Sequence, residues 1–270
     1  GNRVERETET LDWDAEAAGK SGYDHYMLKE IHEQPRALRQ TISGRINELE
    51  TTVSLDVDLP TEYLRSIDEI QIIACGTSYH AGLYAKTLLE THADIRVSVH
   101  VASEYEFEGG RDPWRTLVIA ITQSGETADT LSALRKATRA GARTLAITNT
   151  LGSTVTRDAD DTLFIRAGPE IGVAATKTFS SQVATVALFT VYLGQARDSL
   201  SRTAVRTLLN ALRELPGAVQ QVLDHNHHIQ ETAYEYADKD AFFFIGRDAG
   251  DPVALESALK LKEISYDHAE

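Results

Sequence analysis

The chain has 270 residues, 42% hydrophobic and 25% charged, the balance of a folded protein with a substantial core, which excludes disorder as its main state. Its 41 acidic against 27 basic residues leave a net charge of −14, which argues against nucleic acid or an anionic membrane surface as a partner. A single cysteine excludes an intramolecular disulfide framework and any multi-cysteine zinc site.

No stretch approaches the roughly 20 apolar residues of a membrane span, and residues 1–7 hold no apolar signal core, so a cytoplasmic location is expected. Arginine outnumbers lysine by more than two to one. The acidic excess fits adaptation to high salt and fits an ordinary acidic enzyme equally well.

Residues 1–24 are polar, acid-rich and aperiodic, the pattern of a flexible linker or tail. Residues 25–60 read as a helical lead-in, because Met27, Ile31, Leu38, Ile42, Ile46 and Leu49 recur at helical spacing. Pro35 is expected to divide this stretch into two helices. After Pro60 the pattern changes to short apolar runs, with strands expected over 70–74, 97–101, 116–121, 142–148 and 162–165. Helices are expected over 80–91, 128–140, 153–157 and 178–193. Nearly unbroken apolar strands alternating with helices specify an α/β fold: a three-layer αβα sandwich with a five-stranded parallel sheet, over residues 61–198. Helical patterning returns over 199–239. Ala241-Phe242-Phe243-Phe244-Ile245 then repeats the strand-then-glycine theme, and an amphipathic helix follows over 252–268. One strand and one helix cannot bury a core alone, so residues 240–270 read as the start of a second, similar domain.

Ligands of open parallel sheets bind beyond the carboxyl ends of the strands. Two loops expected there are rich in hydroxyls: Gly76-Thr77-Ser78, and Thr122-Gln123-Ser124-Gly125-Glu126-Thr127. Glycines let the backbone approach a ligand, helix N-termini present unpaired N–H groups, and hydroxyls donate to phosphate oxygens, so the pair describes a phosphate-monoester cradle. For either loop alone, N-capping of the next helix is the plainer reading. No Gly-x-x-x-x-Gly-Lys-Ser/Thr and no Gly-x-Gly-x-x-Gly occurs, which makes ATP and NAD poor ligands, and no cofactor is expected.

A third loop, residues 168–177, combines glycines and small residues through which a polyol could meet the backbone; its Glu170 and Lys177 could pair at the helix start. Lys260 and Glu263 share one helix face, which would suit a carboxylate acting as a base, but on the residues alone the plainer reading is an exposed ion pair. Cys75 reads as a small buried residue at a strand end, and Asp224-His225-Asn226-His227-His228 as a polar helix junction; no metal is assigned.

Several blocks occur in order: Tyr26-Met27-Leu28-Lys29-Glu30-Ile31-His32-Glu33-Gln34-Pro35, Ala74-Cys75-Gly76-Thr77-Ser78, Gln123-Ser124-Gly125-Glu126-Thr127-Ala128-Asp129-Thr130, Glu170-Ile171-Gly172-Val173-Ala174, and Ala258-Leu259-Lys260-Leu261-Lys262-Glu263-Ile264-Ser265-Tyr266. From about residue 23 to 270 the chain thereby resembles the isomerase portion of the glutamine–fructose-6-phosphate aminotransferase (isomerizing), or glucosamine-6-phosphate synthase, family, built on the sugar isomerase (SIS) fold. The resemblance implies conversion of fructose 6-phosphate and ammonia to glucosamine 6-phosphate, with a separate glutaminase domain upstream and a homodimer as the assembly. It implies that Thr77, Ser78, Thr122, Gln123, Ser124 and Thr127 hold the phosphate and adjoining sugar hydroxyls, and that Val173 meets the sugar through its backbone. Glu263 would move a proton between C1 and C2 of the open-chain sugar, with Lys260 beside it. Fructose 6-phosphate or glucose 6-phosphate is the expected ligand. Many relatives have serine where this chain has Ala175, and the chain alone is expected to be incomplete for glutamine-dependent synthesis. A non-catalytic, sugar-phosphate-sensing SIS module is the alternative.

Overall fold

The computed structural model describes residues 19–270 except positions 48, 50 and 111. Most of the expected tail over 1–24 therefore lies outside the described residues. Helix α1 (Tyr26–Ile42) is one continuous helix with Pro35 inside it, which corrects the expectation of two. Proline lacks the N–H that would bond the Ile31 carbonyl. That carbonyl instead accepts from Gln34 Nε2 at 3.1 Å, so the break is repaired by the neighbouring side chain. A short antiparallel pair, β1 (Ile46–Asn47) and β2 (Thr52–Val53), and helix α2 (Thr61–Ser66) follow; all three are too short to leave a periodic signal.

The main sheet and its helices then run in alternation: β3 (Glu69–Ala74), α3 (Gly76–His92), β4 (Arg96–Val101), β5 (Thr116–Thr122), α4 (Ala128–Ala140), β6 (Arg143–Thr148), α5 (Thr154–Asp158), β7 (Asp161–Phe164) and α6 (Lys177–Ala196). The five strands lie in the order β4-β3-β5-β6-β7, every pair parallel, as the apolar patterning predicts. All seven residues of the central strand β5 are buried.

Because side chains alternate across a strand, the sheet feeds two cores. Ile70, Ile72, Leu117, Ile119 and Ile121 join Leu38, Leu89 and Phe189 from α1, α3 and α6. Ile73, Val118 and Ala120 join Leu131 and Leu134 of α4 and Val155 of α5 on the opposite face. Each fully buried aliphatic side chain contributes about 1.5–3 kcal/mol, which explains why the middle of β5, residues 117–121, is wholly apolar.

Beyond the sandwich run α7 (Arg202–Asp224), capped where Ser201 Oγ accepts from Ala204 N at 3.2 Å, and α8 (Asn226–Tyr236). The final segment departs from expectation at both ends. The strand β8 covers only Ala241–Phe242, and helix α9 (Gly250–Ser265) stops where Tyr266 takes a left-handed φ of 64°. The chain then turns into β9 (His268–Ala269), which pairs in parallel with β8. Helix α9 packs on α3, burying Pro252, Glu256 and Ala258.

Candidate functional site

Strands β3 and β5 are neighbours, yet the chain leaves them for opposite faces of the sheet, through α3 into one core and through α4 into the other. Such a switch point opens a crevice at the carboxyl edge. Here it forms a cavity of about 200 Å³ lined by Thr77 and Ser78, which lie in the first turn of α3 rather than in the expected loop, Thr122, Gln123, Ser124 and Thr127 from the loop after β5, and Val173 from the loop before α6. All seven residues expected to hold substrate are thus brought together. The lining contains no arginine or lysine. Cys75 is half-buried, packing against the core on one side and lining the same cavity on the other, and Ala175 presents only a methyl group there.

The loop after β5 turns at Gly125, whose φ is +70° and where a Cβ would lie 2.2 Å from Ser153 Oγ, so only glycine fits. Inside the turn, Thr122 Oγ1 lies 3.2 Å from Thr127 Oγ1 and accepts from Gly125 N at 3.3 Å. Ser124 Oγ accepts from Glu126 N at 3.2 Å. The Glu126 carboxylate in turn accepts from Thr154 N at 2.7 Å, and hydrogen bonding from Thr154 holds its pKa below the usual carboxylate value. No side chain caps α3 or α4: Cys75 and Thr127 occupy their N-cap positions without a capping bond. Simple N-capping therefore does not account for the hydroxyls, and two helix N-termini adjoin the cavity with N–H groups that no capping side chain occupies.

One supporting side chain is invisible to motif reading. Gln182 of α6, 1% exposed, donates from Nε2 to Ser78 Oγ at 2.9 Å, and its Oε1 is buried without a partner in the cavity wall. In the third loop, Glu170 does not pair with Lys177, contrary to the simpler expectation. It accepts from Thr176 N at 2.9 Å, from Thr178 N at 3.3 Å and from the Thr178 hydroxyl, closing the start of α6. Lys177 reaches instead to Glu33 of α1, at 2.6 Å.

Lys260 and Glu263 do not line the cavity. They join it through Thr77: Lys260 Nζ donates to Thr77 Oγ1 at 2.9 Å and to Glu263 Oε2 at 2.7 Å. Thr77 Oγ1 donates onward to Glu256 Oε1 at 2.9 Å, and Glu256 Oε2 lies 2.7 Å from His80 Nδ1. The Lys260 and Glu263 side chains are 18% and 33% exposed, so this is a half-buried cluster rather than a solvated surface pair. Glu256 escaped the reading of the sequence, although the spacing of Glu256, Lys260 and Glu263 at i, i+4 and i+7 places all three on one helix face. His225, in the histidine-rich tract, sits at the junction of α7 and α8 with Nδ1 2.7 Å from the Gln221 carbonyl. Among the described residues no group of three or more His, Cys, Asp or Glu side chains is arranged to hold a metal ion, and no helix is long and apolar enough to cross a membrane.

A profile of the SIS domain matches residues 63–192, spanning α2 through most of α6 and hence both hydroxyl loops. The glutamine–fructose-6-phosphate aminotransferase (isomerizing) of Halobacterium salinarum is 72% identical over 270 residues, all of this chain and 45% of that protein. Its counterpart in Methanosarcina acetivorans is 48% identical over 271 aligned positions, covering 100% of this chain and 44% of that protein. The chain thus spans about half the length of the curated relatives it matches. Among solved structures, the C-terminal domain of the glucosamine-fructose-6-phosphate aminotransferase of Francisella tularensis superposes with a TM-score of 0.87 and 39% identity, over 93% of this chain and 71% of that one. Sheet order, switch-point cavity and whole-chain similarity agree: the chain belongs to the glutamine–fructose-6-phosphate aminotransferase (isomerizing) family, of which it represents an SIS-domain portion.

Proposed function

We propose that this chain is the isomerase portion of a glucosamine-6-phosphate synthase, binding fructose 6-phosphate and converting ketose to aldose as nitrogen is introduced to give glucosamine 6-phosphate. The observation that carries the reading is the convergence of nine hydroxyl or amide side chains and two uncapped helix N-termini on one cavity. Such a site neutralises a phosphate monoester with dipoles and N–H groups rather than with cationic side chains. In this reading Ser78, Ser124, Thr127, Thr122 and Gln123 hold the phosphate end. Thr77 and the Val173 backbone meet the sugar, which extends toward α9.

At that end Glu263 acts as the base. Its carboxylate takes the proton from one of the two carbons, C1 or C2, and returns it to the other, so the double bond moves along the chain with no net change in protons. Lys260, at 2.7 Å from Glu263 and 2.9 Å from Thr77, supplies N–H donors that orient the sugar hydroxyls against that carboxylate. This charged cluster favours catalysis over the alternative of a sensing module, which needs the cradle alone.

The proposal extends to organisation: a lead-in over 25–60, a first SIS domain over 61–198, a helical connection over 199–239 and the first elements of a second SIS domain over 240–270, of which α9 belongs to the site. A glutaminase domain upstream, supported by the greater length and the names of the relatives, completes the reading together with a homodimeric assembly and a cytoplasmic location.

The test is thermal. Fructose 6-phosphate or glucose 6-phosphate at about 100 times Kd should stabilise the chain by about 2.7 kcal/mol through binding linkage, and Ser124→Ala should remove about half of that shift. No change in Tm with any hexose 6-phosphate would sink the reading. Interconversion of the two sugar phosphates, lost in Glu263→Gln, would separate the enzyme from a sensor.

A further inference from the structure

The loop that carries Val173 is held by a residue outside the SIS domain. Val173 is 92% exposed at the cavity, and the two amides that precede it, those of Ile171 and Gly172, both point at one carboxylate. Glu30 Oε1 accepts from Ile171 N at 2.6 Å and from Gly172 N at 3.1 Å, and Glu30 Oε2 accepts from Gly172 N at 3.1 Å. Glu30 lies on α1, more than 140 positions earlier, and is 2% exposed.

A carboxylate this deep is costly unless its oxygens are hydrogen-bonded, and consecutive backbone N–H groups form an anion-binding concavity. The approach is close enough to dictate the sequence of the loop: a Cβ at Gly172 would lie 2.5 Å from Glu30 Oε2. The same helix fixes the far end of the loop, where Glu33 accepts from Lys177 Nζ at 2.6 Å and Gln34 Oε1 accepts from Ser180 Oγ at 2.7 Å. Helix α1 therefore grips both sides of the segment that includes Val173.

We propose that Glu30 is a positioning residue for sugar recognition: it sets the backbone of residues 171–173 so that this loop meets the sugar, while the phosphate is held independently by the first turn of α3 and the loop after β5. This inference rests on the reading of the cavity as a sugar-phosphate site. It predicts a split that general destabilisation does not produce. In Glu30→Ala the affinity for fructose 6-phosphate falls about tenfold, the loss expected when charge-assisted hydrogen bonds that order a binding loop are removed. The affinity for inorganic phosphate stays the same. Glu30→Gln, whose Oε1 still accepts but whose amide nitrogen faces the Gly172 N–H, lies between the two.

The experiment measures both affinities by calorimetry on the wild-type chain, Glu30→Ala and Glu30→Gln, together with ligand-free amide hydrogen exchange. The expected result is the split, with Ile171 and Gly172 amides exchanging at least about tenfold faster in Glu30→Ala. Unchanged exchange at those amides, unchanged fructose 6-phosphate affinity, or equal loss of both ligands would overturn the proposal. Should Glu30→Ala fail to fold, Glu30→Gln carries the same three readouts. A wild-type chain that binds neither ligand would overturn the sugar-phosphate reading itself, and the ligand-free exchange keeps that failure distinct from a failure of the Glu30 clamp.

Discussion

The two halves of the site hold their groups by opposite means. The cradle around β3 and β5 consists of neutral hydroxyls and backbone, and its β5 side is fixed by local chain geometry: a left-handed glycine at 125, the Thr122–Thr127 contact across five residues, and a helix that starts without a cap. The cluster on α9 consists of charges that hold one another, and Lys260 meets the cradle only through Thr77, 183 positions away. Neutral hydroxyls bonded to neighbouring neutral or backbone groups can turn to an anion at little cost, whereas half-buried charges must be paired before any ligand arrives. The cradle is therefore built to be filled. The cluster is built to be in position already.

Four substitutions break or sharpen that contrast. The largest effect belongs to Gly125→Ala, which forces a Cβ into a left-handed turn and against Ser153; the two penalties together cost about 3 kcal/mol of stability and abolish ligand response, as thermal unfolding with and without fructose 6-phosphate would record. Glu256→Gln comes next. Removing one member of a buried charged set costs up to about 3–5 kcal/mol, and because Lys260 keeps Glu263 the loss should be about 2 kcal/mol by denaturant unfolding. Ser124→Ala should leave stability unchanged and weaken fructose 6-phosphate about tenfold, or about 1.4 kcal/mol, by calorimetry. Smallest in stability is Glu263→Gln, within about 0.5 kcal/mol, with sugar-phosphate binding retained and proton transfer between C1 and C2 lost. If Ser124→Ala destabilised the fold as much as Glu256→Gln, the division into a waiting cradle and a prepaired cluster would fail.

The contrast also marks what could be read from residues alone. The apolar runs of β3, β5 and β6 predict a parallel sheet because burial on both faces favours apolar residues at successive positions rather than at alternate ones. The hydroxyl loops follow as the segments at their carboxyl ends. The charge cluster was ambiguous for a physical reason: Lys260 and Glu263 at i, i+3 have the same local pattern whether they face solvent or a neighbouring helix. Only the packing of α9 on α3 decides it, and the family resemblance anticipated that decision. Gln182, Glu256 and Glu30 share this origin, since each acts on a backbone or side chain far away in sequence. Pro35 is the converse case. Its rule holds, but the Gln34 side chain supplies the missing donor, a local repair that helix periodicity does not reveal.

The central claim is that phosphate and reacting carbons lie at opposite ends of one path, from the Ser124–Thr127 turn to Glu263. A crystal structure of the chain with fructose 6-phosphate bound tests it most directly. The account predicts the phosphate among Ser78, Ser124 and Thr127, with the sugar passing Val173 and its C1–C2 end directed at Glu263. A phosphate seated instead on Lys260, or a sugar whose C1–C2 end points away from α9, would contradict it.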